Sequence, residues 1–306
     1  MLVSIIIPTH RGSKTICRAV DSAFSQDYDH LEVIVVDDNG AGTMEQIETE
    51  RQIARYLNLD NFKYIAHEHN KNGAAARNTG VRAAKGEFIA FLDDDDEFLP
   101  FKIRLQVEAL AGKSDDYGAC YSSFVNIFPD GRRREIYAEK SGDLCADLLS
   151  MEISVLSSVL MVKKSAWEAV GGFDESFLRE QDQEFCARVF QKYKVVAVPE
   201  ITMVRHILKR NAPADVEKSV EYRYKYINKV KEIISTYPKK DQEKIYSRLY
   251  LDIAKRYFKS KKFIKFFGYV IKSRSLLFAI QKFTKAYVSY RKSVRLNKKN
   301  TSKAKS

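Results

Sequence analysis

Four consecutive aspartates, Asp93-Asp94-Asp95-Asp96, follow the apolar run Phe88-Ile89-Ala90-Phe91-Leu92. Carboxylates crowded at the end of a buried strand repel one another unless a cation offsets them. With no Cys or His beside them, these oxygen donors suit a hard divalent ion, Mg2+ or Mn2+, of the kind held next to phosphate. A second acidic pair, Asp37-Asp38, ends another apolar run, although the following Asn39-Gly40 also makes it good turn chemistry. Gly73-Ala74-Ala75-Ala76-Arg77-Asn78 opens a helix with small side chains. They either pack tightly or let a ligand lie close to the planar donor fork of Arg77. Asp182 lies in Arg179-Glu180-Gln181-Asp182-Gln183-Glu184, ahead of a helix expected over 183–192. It fits an N-cap or a general base at the mouth of a site, and the residues alone favour the cap.

Other chemistries lack their residues. There is no GxGxxG and no GxxxxGK[ST], so dinucleotide and P-loop sites are excluded. His67-Glu68-His69 has no third ligand close in sequence and is not read as a metal site. Cys186 has no His or Lys beside it to lower its pKa. The four cysteines contain no CxxC pair and are read as reduced thiols of a cytosolic protein.

Short β-rich runs at 3–7, 32–36, 62–66 and 87–92 each lead through a turn into a helical stretch, such as 15–26 with apolar Ile16, Ala19, Val20 and Ala23. This alternation predicts an α/β fold, a mainly parallel Rossmann-like sheet with helices on both faces. Ligands of such sheets bind beyond the carboxyl ends of the strands, where Pro8-Thr9, Asp37-Asp38 and Asp93-Asp94-Asp95 all fall. Further strands are expected over 117–127 and 153–162, and a short helix over 165–170. From 215 the pattern becomes helical only, over 216–236, 239–260 and, less regularly, 263–295. The expected organisation is a catalytic domain over 1–210, nucleotide binding in its first hundred residues, and a helical region over 211–306.

Charge divides at nearly the same point. Of 52 Lys and Arg, 17 follow Asp252 and no acid does, so residues 1–252 carry 35 bases against 40 acids. The basic character belongs to the tail alone, where the segments Phe263-Ile264-Lys265-Phe266-Phe267-Gly268-Tyr269-Val270-Ile271-Lys272 and Leu276-Leu277-Phe278-Ala279-Ile280-Gln281-Lys282-Phe283 mix Lys with large apolar residues. These segments, too short to span a bilayer, are read as interfacial helices on an anionic membrane. The alternative is a cationic cap on the catalytic domain. A nucleic-acid partner is not expected, because the body is acidic and no recognised binding module is present. The apolar start, Met1-Leu2-Val3-Ser4-Ile5, has no basic leader and is not read as a signal peptide.

Taken in order, Val3-Ser4-Ile5-Ile6-Ile7-Pro8-Thr9-His10-Arg11, Ile34-Val35-Val36-Asp37-Asp38, Gly73–Gly80 and Gly86–Asp96, then Gly171-Gly172-Phe173-Asp174-Glu175 and Gln181-Asp182, resemble glycosyltransferase family 2. These are inverting nucleotide-sugar transferases of GT-A fold, and the likeness covers about residues 1–205. The resemblance implies that Asp38 accepts the uracil N–H, that Pro8, Thr9 and Asp37 help hold the nucleoside, and that Arg77 lies near it. It makes Asp93-Asp94-Asp95 the DxD element, with Asp93 toward the ribose, Asp94 beside the nucleotide and Asp95 the Mg2+ or Mn2+ ligand. It makes Asp182 the catalytic base, with Gln181 replacing the usual Glu, and puts His206 where relatives often carry a His that reaches diphosphate or metal.

The implied protein is a peripheral enzyme on the cytoplasmic membrane face, moving a sugar, UDP-linked by preference, to a lipid-linked or growing surface glycan. A helix N-terminus would lower the pKa of Asp182 and weaken it as a base. The competing readings are a nucleic-acid-binding protein and a sugar-nucleotide binder without turnover.

Overall fold

The computed structural model describes residues 1–207 and 215–274. Its first part alternates β1 (Val3–Thr9), α1 (Ile16–Phe24), β2 (Leu31–Asp37), α2 (Met44–Ile53), β3 (Phe62–Ala66), α3 (Gly73–Ala83) and β4 (Phe88–Phe91). β1 lies between β2 and β4, parallel to both, and β3 extends the sheet beyond β2. Every residue of β1 is buried, as a strand covered on both faces requires. The register pairs Thr9 with Asp37 and Ile6 with both Ile34 and Phe91, so the three strands end at one sheet edge. α3 approaches this sheet closely at Gly80, where a Cβ would stand 2.3 Å from Ile6 Cγ2. No side chain fits there.

The second part contains β5 (Asp96–Phe98), α4 (Lys102–Leu110), β6 (Tyr117–Ile127), β7 (Arg133–Ile136), α5 (Cys145–Leu149), β8 (Leu160–Lys163), α6 (Lys164–Ala169), α7 (Gln181–Lys192) and β9 (Lys194–His206). The sheet order is β3-β2-β1-β4-β8-β6-β9-β5, with β7 paired to β6. β8 is antiparallel to β4 and to β6, β9 is parallel to β6, and β5 returns antiparallel to β9. The α/β expectation holds. The parallel arrangement occupies the β3-β2-β1-β4 half of the sheet, and the other half is mixed.

The strand expected over 153–162 is mostly absent. β8 begins only at Leu160, and Ser157–Val159 form a single 3-10 turn. The serines explain the break, because their hydroxyls turn toward the acidic loop: Ser157 Oγ donates to Asp93 Oδ1 (3.1 Å) and Ser158 Oγ to Asp96 Oδ2 (2.7 Å).

The helices α8 (Val216–Lys229), α9 (Lys231–Ser235), α10 (Lys239–Lys259) and α11 (Phe263–Lys272) complete the described chain. The expected helix 216–236 is broken at Val230 into α8 and α9. Val220, Tyr226, Ile245, Leu249 and Ile253 join the same buried apolar cluster as the strands. The change of pattern near 205–215 is therefore a change of element type within a continuous core. The second aromatic-basic segment, 276–283, lies outside the described residues. Among the described residues no helix is long and apolar enough to cross a membrane.

Candidate active site

At the carboxyl edge of β1 and β4, between the first turns of α3 and α7, lies a cleft of about 740 Å3. Thr9, Arg77, Asp93, Asp94, Asp95 and Asp182 all face it, as does Pro8. Its size is that of a small-molecule or cofactor site.

The four adjacent aspartates have separate environments. Asp93 Oδ1 is ion-paired with Arg77 Nη2 at 2.5 Å. Asp94 Oδ2 accepts from Thr9 Oγ1 at 2.6 Å. The Asp95 backbone carbonyl accepts from Arg18 Nη2 at 2.6 Å, which fixes the loop from behind. Asp96 is buried in β5; burial, with Asp93 adding repulsion, holds its carboxyl well above the usual range against the opposing Ser158 hydrogen bond. Asp96 is thus a buried acid held by Ser158 behind the loop, and the carboxylates that line the cleft are the other three.

Among the described residues no three His, Cys, Asp or Glu side chains converge into a complete metal cage. Asp93 and Asp95 do line the cleft together. Mg2+ beside a nucleotide is commonly held by one or two carboxylates, with substrate phosphates and water supplying the rest. The donor set fits that mode.

Gly12 packs directly on this loop: a Cβ there would lie 1.8 Å from Asp94 Oδ2 and 2.5 Å from Thr9 Oγ1. Asp94 is only 9% exposed and has little room to give way. Gly12→Ala is expected to cost about 1–3 kcal/mol of stability, the usual penalty of overpacking. Urea unfolding measures the effect, and a wild-type value would contradict this packing.

The acidic pair at the end of β2 departs from expectation. Asp37 is fully buried, accepts from Asn39 N and Tyr64 Oη, and does not line the cleft. Burial pushes its pKa up. Asp38 does reach the cleft, but Oδ1 already receives His67 Nδ1 (2.7 Å) and Lys71 N (2.8 Å). Its Oδ2 receives Asn70 Nδ2 and Asn72 N, both at 2.8 Å. An ionised carboxylate offers about four acceptor directions, and all are taken. Asp38 thereby holds the segment 67–72 at the rim of the cleft. His67 belongs to this scaffold, with Nε2 2.9 Å from Thr79 Oγ1.

That segment delivers α3. Asn72, at φ 123°, caps the helix by accepting from Ala74 N and Ala75 N. One turn later Arg77 spans the site: Nη2 holds Asp93 while Nη1 donates to Gln181 Oε1 at 3.0 Å. Gln181, the replacement noted in the sequence, thus serves as a neutral partner for Arg77. Arg77 Nε is buried without a hydrogen-bond partner, an unspent donor at the cleft wall.

Asp182 is not an N-cap. α7 starts at Gln181, and the cap is Glu180, in the left-handed region at φ 64°. Asp182 therefore sits inside the first turn and receives only the N–H of its neighbour Gln183 at 2.9 Å among the described residues. The expected lowering of its pKa is reversed. Burial raises it, Arg77 opposes, and Asp93 and Glu180 add to the rise.

His206 does not face the cleft. It lies 3.3 Å from Glu97 Oε2, and the neighbouring Arg205 lines the cleft instead. His10, Arg11, Asn70 and Ser157 are further cleft residues that sequence reasoning did not single out. His10 and Arg11 were within reach, since they continue the Pro8-Thr9 motif; Ser157 was hidden in an apparent strand.

Residues 4–170 match the family model described as glycosyl transferase family 2. Over 238 residues the chain is 29% identical to the amylovoran biosynthesis glycosyltransferase AmsB of Erwinia amylovora, covering 74% of this chain and 77% of that one. It is 34% identical over 109 residues to the UDP-Glc:alpha-D-GlcNAc-diphosphoundecaprenol beta-1,3-glucosyltransferase WfgD of Escherichia coli, covering 36% and 41%. Two solved structures share the fold. Staphylococcus aureus TarS 1-349 in complex with UDP-GlcNAc gives a TM-score of 0.61 at 19% identity, covering 85% of this chain and 73% of that one. The mannosyltransferase PcManGT of Pyrobaculum calidifontis, in complex with GDP-Man and Mn2+, gives 0.60 at 17%, covering 94% and 79%.

Proposed function

The chain belongs to glycosyltransferase family 2 and is a glycosyltransferase, and from this premise we propose an inverting, metal-assisted transfer from a UDP-sugar to a hydroxyl of a lipid-linked or growing surface glycan. The observation that carries the reading is the gathering of Asp93, Asp95 and Asp182 on one cleft from distant parts of the chain. The relatives' names support the acceptor class, amylovoran biosynthesis in one and a diphosphoundecaprenol-linked sugar in the other.

In this reading Pro8, Thr9 and Asp94 shape the nucleoside end of the cleft and Asp38 acts through the 67–72 rim. Asp93, ion-paired with Arg77, faces the ribose. Asp95 would hold a Mg2+ or Mn2+, which when bound supplies Lewis-acid stabilisation of the departing diphosphate. Arg205 and Arg77 contribute fixed positive charge on the same side. Asp182 takes the proton of the acceptor hydroxyl as it attacks the anomeric carbon opposite the leaving group. One base and a single displacement invert the centre.

A screen of nucleotide sugars for thermal stabilisation in Mn2+, repeated in EDTA, tests the donor side. A metal-dependent shift with a UDP-sugar supports the proposal, and equal shifts in EDTA contradict the metal.

The membrane part of the proposal rests on α11. Phe263, Ile264, Phe267 and Ile271, spaced to share one helix face, are 50%, 92%, 60% and 73% exposed. Phe266 and Val270 pack inward, and no acid follows Asp252. An exposed apolar stripe on a chain end of one charge sign is the pattern of a helix lying in an anionic interface. This would put the enzyme on the cytoplasmic membrane face, beside a lipid-linked acceptor. Ile264→Glu with Phe267→Glu should release the protein from anionic vesicles without changing its melting temperature, since neither side chain is buried. Undiminished co-sedimentation would remove α11 from the proposal.

A further inference from the structure

Glu180 is the hinge between the loop after Phe177 and the catalytic helix. A residue with a side chain enters the left-handed region only when its surroundings hold it there. Here the holders come from the far end of the chain. Glu180 Oε2 lies 2.9 Å from Arg223 Nη2 on α8, and Oε1 lies 2.8 Å from Arg256 Nη2 on α10. Both arginines are fixed in turn by Asp252, whose Oδ2 is 3.2 Å from Arg223 Nε and 2.9 Å from Arg256 Nη2. Arg223 Nη1 also donates to Gln183 Oε1 at 2.8 Å, so the same guanidinium grips the residues on both sides of Asp182. Arg256 Nη1 anchors to Ser219 of α8 through its carbonyl and hydroxyl.

Two acids and two bases balance in charge. Glu180 and Arg223 have side chains only 9% and 3% exposed. Burial alone would push the Asp252 carboxyl up, but the two guanidiniums outweigh it and hold it below the usual range. A buried, charge-balanced cluster of this kind gains little as a stability device, and Arg223 Nε meets Asp252 as an ion-pair contact without a hydrogen bond. All four residues lie outside the segment 4–170 that matches the family model.

We propose that Arg223 and Arg256 are positioning residues for the transfer, the C-terminal helices clamping Glu180 so that the first turn of α7 presents Asp182 to the cleft. The proposal rests on Asp182 being the base. It makes the helices after 215 part of the catalytic apparatus, where the basic-tail reading gave them only a place to bind.

The test uses the full chain, with Arg256→Met, Arg256→Lys, Glu180→Gln and the pair Glu180→Gln/Arg256→Met. Arg223 is left in place because it is the more buried of the two, its side chain 3% exposed against 22% for Arg256, and it also holds Gln183. The activity read is UDP release from whichever UDP-sugar gives the largest Mn2+-dependent shift in the screen above, alongside UDP affinity by calorimetry and melting temperature. Misplacing a catalytic group by about 1 Å costs on the order of 10²-fold. The kcat of Arg256→Met and of Glu180→Gln should therefore fall about 10–10²-fold. UDP affinity should stay within about twofold, because the donor side is built from β1, β4 and α3. Arg256→Lys should recover part of the loss, and the double variant should be no worse than the poorer single one.

A wild-type kcat in both single variants overturns the proposal. So does a fall in kcat matched by an equal fall in UDP affinity, which would mean general damage to the fold. Asp182→Asn, assayed in parallel, separates the two ideas. If it keeps turnover, the base assignment fails and this proposal with it. If it is inactive while Arg256→Met is not, the base stands and the clamp alone is wrong.

Discussion

Asp182→Asn is expected to lower turnover by about 10²–10⁴, the usual contribution of a positioned general base, while leaving UDP binding and melting temperature close to wild type. The carboxylate receives only one hydrogen bond among the described residues, from Gln183 N to Oδ1, and an Asn oxygen can accept the same bond. It caps no helix, so no capping energy is lost. The substitution removes a charge that burial, Asp93 and Glu180 all disfavour, so the folded protein has no reason to be weakened. A pH profile gives a second measurement. Turnover needs the deprotonated carboxylate, whose pKa is raised from 3.8 chiefly by burial. The wild-type rate should therefore fall on acidification with a midpoint above the ordinary carboxylate value, and Asp182→Asn should lack that limb. Turnover in the Asn variant near wild type would end the assignment.

Asp95→Asn carries the second large effect, on binding and not on the empty protein. Mn2+-dependent UDP affinity should fall at least about tenfold, to the level measured in EDTA, with transfer falling further because stabilisation of the leaving group is lost. The substitution keeps the shape of the side chain, and the Asp95 carbonyl still accepts from Arg18, so thermal unfolding of the unliganded protein should stay close to wild type. Calorimetry with and without Mn2+, together with thermal unfolding, separates these outcomes. Retained metal-dependent affinity would move the metal ligand elsewhere on the loop.

The acidic side of the candidate site was legible in the sequence because it is written at strand ends. Thr9 and Asp93–Asp95 follow buried runs, and the parallel order β2-β1-β4 brings the ends of such runs to one edge. Where the reading failed, a shift of one residue was usually enough. Asp37 is the last residue of β2 and turns into the core, whereas Asp38 reaches the rim. Arg205 faces the cleft and His206, the next residue on β9, does not. Alternation along a strand makes such a shift decisive, and composition does not reveal the phase.

Asp182 was misjudged as a cap because the true cap, Glu180, has a side chain pointed at arginines more than forty residues away. No local pattern signals a left-handed glutamate whose support is that remote. The serines at 157 and 158 read as part of a strand over 153–162, and their purpose appears only once the acidic loop lies beside them.

The position of β1 has a consequence for how the chain acquires its shape during synthesis. β1 pairs through one edge with β2, from Val3 opposite Leu31 to Thr9 opposite Asp37, and through the other with β4, beginning with Val3 opposite Phe88. The first edge can close within a local unit. The second must wait for roughly fifty more residues, which at about 5–20 residues per second is an interval of several seconds. Throughout that interval a strand of seven residues, VSIIIPT, presents an unpaired edge. The chain is thus most open to mispairing on the ribosome at the strand that later carries Thr9, and release of Phe88–Phe91 ends the exposure.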